Sequence, residues 1–247
     1  MGRLLRDIGA TALAVGVAIL AVLLVAACKK VGDMPAASTA TPAVTQPAPA
    51  QPVKPAPAPA ATVRGIPQNA LRYRAELIRN ARSVWGLDAP VTTFAAQVHQ
   101  ESGWRANAKS PVGAQGMAQF MPATGAWIAK LFPELAANEP YNPSWALRAL
   151  VTYDRYLWDR LEAVSACDHM AMTLSAYNGG LGWVRRDGRL AASQGLAANI
   201  WWGNVETVNA GRTAANWREN RGYPRRILRT LSPLYASAGF GGGICHD

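Results

Sequence analysis

Apolar residues recur at helical spacing through the C-terminal three quarters of the chain, and no stretch alternates as a strand does. Leu71, Leu77, Ile78, Ala81, Val84 and Trp85 share one side of a segment over 69–85, and Gly86 stops it. Asp88 has the position of an N-cap, with Pro90 in the first turn of a second helix. That helix carries Phe94, Val98 and Glu101, spaced 4 and 3, and ends at Gly103. A third starts near Pro122 and holds Trp127, Ile128 and Leu131. Asn142-Pro143 is a start signal for a long helix through Ala146, Leu150, Tyr153, Leu157 and Leu161. Asp168 is expected to cap another, running through Met172 and Leu174 to Tyr177 and closed by Gly179-Gly180. Residues 181–218 show a poorer pattern, rich in Trp and Gly, before a last helix from about Tyr223 to Tyr235. Six helices in about 180 residues predict an all-α globular domain with room for a core.

Two N-terminal stretches do not fit that domain. In 1–28, Arg3 and Arg6 precede twenty uncharged residues over 8–27, and Val25-Ala26-Ala27-Cys28 closes the run with small residues before a Cys. This order describes an export signal. The Cys at its end resembles a bacterial lipoprotein signal, which implies that Cys28 is lipidated and becomes the mature N-terminus. An uncleaved anchor is the alternative, since about 20 apolar residues span a bilayer. Both place the remainder on the periplasmic side of an envelope, tethered to a membrane. Lys29 after the Cys favours the outer membrane by analogy with enteric sorting, and the uncleaved anchor implies the inner one. Over 29–63 Pro and Ala dominate and no aromatic occurs, so the segment cannot offset its ordering entropy and is expected to be an extended, disordered linker. The domain is then 64–247.

That domain carries about +7 of the chain's net +10, which suits an anionic polymer. Export argues against nucleic acid. With Cys28 lipidated, Cys167 and Cys245 remain as an even pair in an oxidising compartment, either bridged or both free. There is no CxxC, and His99, His169 and His246 share no metal-ligand spacing, so neither metal nor cofactor is expected.

The candidate chemistry lies in 100–125, QESGWRANAKSPVGAQGMAQFMPATG. Glu101 shares a helix face with Phe94 and Val98, at the helix's negative end. Desolvation and that helix end both disfavour its charged form, which is how a carboxyl becomes a general acid. Ser102, Asn107, Ser110, Gln115 and Gln119 follow with Gly113 and Gly116, a polar and nearly uncharged lining of the kind sugars need. Met117, Phe120 and Met121 pin the end of that loop to the core.

This stretch resembles the ES…S..GA.GLMQ..P signature of soluble lytic transglycosylases, relatives of goose-type lysozyme. Glu101, Ser102, Ser110, Gly113, Ala114, Gly116, Gln119, Met121 and Pro122 match, while Met117 and Ala118 stand where Leu and Met are usual. Ala176-Tyr177-Asn178-Gly179-Gly180 resembles the family's A-Y-N-A-G. Residues 219–228, ENRGYPRRIL, resemble its E-T-R-x-Y-V-x-R-V-L, with Asn220 for Thr and Pro224 for Val. The three motifs occur in family order.

The resemblance implies a lysozyme-like fold and cleavage of the β-1,4 bond between N-acetylmuramic acid and N-acetylglucosamine in peptidoglycan glycan strands. Glu101 would act as acid and then base, closing a 1,6-anhydro ring without water. Carried over, Ser110 and Tyr177 would bond the acid or the acetamido group, Gln119 and Asn178 would bind sugar polar groups, and Met121 and Tyr223 would line the cleft. Ser102, Ala176 and Glu219 would support the site. Trp104, Trp183, Trp201, Trp202 and Trp217 offer stacking faces or core packing, with Trp202 the stacking candidate. A monomer is expected. The alternatives are a goose-type hydrolase using Glu101 with a water activated by Asp187 or Glu206, and a non-catalytic wall-binding module.

Overall fold

The computed structural model of the chain describes residues 65–245. The signal 1–28 with Cys28, the linker 29–63, residue 64 and residues 246–247 lie outside the described residues. The described part is helical, and its bridges of β type are isolated ones within one loop. Among the described residues no helix is long and apolar enough to cross a membrane.

The helices are α1 (Gln68–Trp85), α2 (Val91–Ser102), α3 (Pro122–Leu131), α4 (Pro143–Trp158), α5 (Ala166–Gly179), α6 (Leu181–Ser193), α7 (Ala214–Arg225) and α8 (Ser232–Ser237), with a π-helical stretch Arg226–Leu231 joining the last two. α1 packs on α4, α4 on α5, and α5 on α6 and α7. α2 is held against α1, the π stretch and α8. Its Phe94, Ala95 and Val98 are fully buried with Leu147, Leu150, Leu174 and Ile227 in the core.

Several boundaries differ from those expected. α2 begins at Val91, and Pro90 rather than Asp88 holds the cap position. Asp168 lies inside the first turn of α5, where Ser165 is the cap and accepts from the Asp168 amide; the Asp168 carboxylate instead accepts from the amides of Trp201 and Trp202. α4 stops before Leu161. A helix, α6, occupies much of the region of poor pattern. The C-terminal helix starts at Ala214, upstream of Tyr223. Pro224 sits within it, and a proline there removes a backbone donor and crowds the preceding turn. The π stretch follows directly, as wide turns do where the regular ladder is broken.

Cys167 and Cys245 are joined by a disulfide. It fastens the C-terminal tail to the start of α5. On its way the tail buries Phe240 against Trp104 and Tyr235, and the Gly242 carbonyl accepts from the amide and hydroxyl of Thr92 in α2. The tail therefore touches the helix that carries Glu101 at Thr92, and Trp104 just past that helix's end.

Candidate active site

Glu101 lies in the last turn of α2, which ends at Gly103 in left-handed conformation with φ 60°. The side chain is half-buried, open to solvent on one side while protein atoms crowd its carboxyl. The buried Tyr223 of α7 donates a hydrogen bond from its phenol to Glu101 Oε1. Burial is the main influence on the carboxyl. It raises the proton affinity to about 7, the Tyr223 bond works the other way, and the charge of Glu219 adds to the rise.

The polar loop after α2 is tightly folded. Gln115 and Phe120 exchange backbone hydrogen bonds of 3.0 and 3.2 Å. Gly116 has φ 71°, and a Cβ there would stand 1.6 Å from the Pro140 carbonyl oxygen, so no side chain fits. Gln119 holds a positive φ of 50° and donates from Nε2 to the Gly116 carbonyl at 2.8 Å. Ser110 Oγ accepts from the Ala114 amide at 2.9 Å. Met117 and Ala118 are fully buried, so Ala118, in place of the usual Met, contributes no side chain to the cleft. Met121 is 43% exposed at the loop's end, next to the proline that opens α3.

Within the protein, the residues expected at the site have definite hydrogen-bond partners. Tyr223, expected only to line the cleft, bonds the acid. Tyr177 donates its phenol to the Ala118 carbonyl at 2.7 Å, tying α5 to the loop, and stands close enough to Glu101 to be influenced by its charge. Ser110 and Gln119 serve the loop's own backbone. Asn178 donates weakly to Glu219 at 3.4 Å and accepts from Asn220 at 2.9 Å. Ser102 caps the end of α2 by bonding the Val98 carbonyl and accepting from the Arg105 amide, and Ala176 is buried behind the cleft. Asn178, Glu219 and Asn220 also line a polar cavity of about 440 Å³ that reaches Trp183 and Arg212. A larger cavity of about 650 Å³, between α6 and the end of α4, shares none of these residues.

Of the tryptophans, Trp104 and Trp201 are fully buried, Trp104 donating to the Tyr235 phenol at 2.7 Å. Trp202 is half-buried with the guanidinium groups of Arg225 and Arg229 over its ring. The carboxylates considered for water activation are engaged elsewhere. Asp187 is fully buried and paired with Arg212 and Arg221, and Glu206 pairs with Arg225 at 3.0 Å. Among the described residues no cluster of His, Cys, Asp and Glu could hold a metal ion.

Sequence reasoning missed three features. Asn220 is a buried hub that bonds Ser175, Asn178 and Arg221. Asp187 with its two arginines fixes the Trp-rich loop to α6 and α7, through the Ala210 amide as well. Asp154, in the middle of α4, is a fully buried carboxyl bonded to Gln97. A charged residue inside an otherwise apolar helical face was the available signal for Asp154.

A helical domain with one half-buried acid at the mouth of a polar, glycine-shaped loop belongs to the lysozyme-like class of glycan-cleaving folds. The family model described as Transglycosylase SLT domain matches residues 76–200, half of the chain, and the chain belongs to that family. Glu219 and Tyr223 lie beyond the matched stretch. The chain is similar to membrane-bound lytic murein transglycosylase F of Shewanella pealeana, 27% identical over 141 residues, 56% of this chain and 27% of that protein. It is also similar to the soluble lytic murein transglycosylase of Escherichia coli K12, 28% identical over 153 residues, 58% of this chain and 20% of that protein. The chain thus spans roughly a fifth to a quarter of the length of the curated relatives it matches.

Proposed function

We propose that the domain is a peptidoglycan lytic transglycosylase with Glu101 as its acid and base. The observation that carries this reading is the Glu101 carboxyl itself, with its proton affinity near neutrality and a phenol bonded to it. A group so poised donates and recovers a proton at similar cost. Glu101 would protonate the oxygen between N-acetylmuramic acid and N-acetylglucosamine as the C1–O bond breaks. The substrate's acetamido group would stabilise the cation at C1. The Glu101 carboxylate, steadied by Tyr223, would then take the proton of the 6-hydroxyl as that oxygen bonds C1. The ring closes, and Glu101 ends protonated.

The commitment of Asp187 and Glu206 to arginines supports this over a hydrolase, which needs a carboxylate to activate water. Gln119, Asn178, Met121 and Ser110 would hold the sugar chain, with Glu219 organising the wall of the cleft. Trp202 would stack on sugar beside Arg225 and Arg229, whose guanidinium groups lie over its ring. The tether belongs to the same reading: a lipidated Cys28, an extended linker over 29–63, and a site facing the wall from the periplasmic side of the outer membrane. Both relatives carry murein transglycosylase in their names, and one is named membrane-bound.

Incubation with purified sacculi tests whether the domain is an enzyme. The wild-type protein is expected to solubilise them. Glu101→Gln is expected to bind them and release fragments about a hundredfold to ten-thousandfold more slowly, the order that acid–base groups contribute. Equal release by both proteins would remove Glu101 from the mechanism.

A further inference from the structure

Behind Glu101 lies a second carboxyl that the reaction does not use. Asp154, in α4, is fully buried, and Gln97 of α2 stands one helical turn before Glu101. Gln97 Nε2 donates to Asp154 Oδ1 at 3.3 Å. The two remaining polar atoms of the pair, Gln97 Oε1 and Asp154 Oδ2, are both buried and have no partner. Both are acceptors when Asp154 is ionised. A buried acceptor without a donor is costly, and an unpaired buried charge is costlier still. One proton on Oδ2 supplies the missing donor and removes the charge.

We propose that Asp154 is held as the neutral carboxylic acid, paired head to tail with Gln97, and that it is a positioning residue for Glu101. The Asp154 hydroxyl donates to the Gln97 carbonyl while the Gln97 amide donates to the Asp154 carbonyl, an amide–acid ring that joins α4 to α2 directly below the acid. The inference rests on the reading of Glu101 as the acid.

The surroundings agree. Burial pushes the Asp154 carboxyl well above the usual carboxylate range, the Gln97 bond opposes this, and the Glu101 charge adds to it. The groups facing it are Glu101 from α2, Tyr153 from its own helix, Tyr177 from α5 and Tyr223 from α7, all of them acids that an ionised Asp154 would disfavour in charged form. A neutral Asp154 leaves Glu101 as the carboxyl of this buried group that changes charge during the reaction.

Infrared difference spectra of the intact chain against Asp154→Asn provide the direct test, because they need no catalysis. At about pH 7 the wild type is expected to show the carbonyl stretch of a protonated acid that the variant lacks. Asn preserves the ring of hydrogen bonds, so the pH at which activity falls, set by Glu101, is expected to stay where it is in Asp154→Asn. Asp154→Ala breaks the ring, and turnover on sacculi is expected to fall about tenfold or more through misplacement of the acid, with Asn but not Ala restoring it. A carboxylate band for Asp154 at about pH 7 would overturn the proposal. So would a downward move of the activity limb by a full pH unit in Asp154→Asn, the signature of removing a like charge. If no release from sacculi occurs with any variant, the infrared result still decides the state of Asp154, and only the reading of Glu101 fails.

Discussion

At the residue scale, the proposed mechanism requires Glu101 to keep a proton for cleavage and to lose it for ring closure. Its affinity near 7 predicts activity that falls as pH rises through about 7. The influences on it can be separated. Tyr223→Phe removes the bond that favours the ionised form, so the falling limb should move to higher pH, with lower turnover. Glu219→Gln removes a like charge, so the limb should move to lower pH. Rate profiles on a soluble glycan chain check both, and limbs that move the opposite ways would contradict the electrostatic account. The same shift affects stability. The Glu101 carboxyl binds its proton more tightly in the fold than at its ordinary value of 4.5. The stabilisation from holding that proton is complete below about pH 4.5 and is lost as pH rises to about 7. Glu101→Gln avoids that loss and should be more stable than wild type at about pH 8 by up to about 3 kcal/mol, seen as a melting temperature several degrees higher. Equal melting temperatures at that pH would mean that the carboxyl is solvated like a surface glutamate.

At the element scale, the helices that the sequence discloses are those whose buried faces are apolar. α2 follows from Phe94, Val98 and Glu101 at spacings of 4 and 3, and α4 from Asn142-Pro143, whose Asn does accept from the Ser144 amide. α6 hides because the face it buries is Val184, Asp187, Gly188 and Ala191, small or charged rather than apolar. α7 hides for the same reason, burying Asn220, Arg221 and Pro224 with Tyr223, and its internal proline reads as a helix start. The position of Glu101 and the polar loop were legible because local spacing sets them. The bond from Tyr223 was not, since it crosses 122 residues of sequence and depends on how α7 docks. The disulfide acts at this scale too. It closes a separation of 78 residues and holds the tail across Thr92 at the start of α2. Cys167→Ser with Cys245→Ser should lose about 2–4 kcal/mol in denaturant unfolding. An unchanged midpoint would make the tail an ornament rather than a clamp on the acid's helix.

At the scale of the whole molecule, the domain's positive charge, the Pro/Ala-rich stretch before it and the export-type N-terminus fit a catalyst tethered near an anionic wall. The chemistry at the end of that tether is the central claim. Transglycosylation and hydrolysis break the same bond and differ by one water in the product. The most direct measurement is therefore mass spectrometry of the muropeptides that the purified protein releases from sacculi, with Glu101→Gln alongside. Anhydro-muramyl ends from the wild type, and none from the variant, are the predicted result. Reducing ends, heavier by one water, would contradict it and mark the domain as a hydrolase.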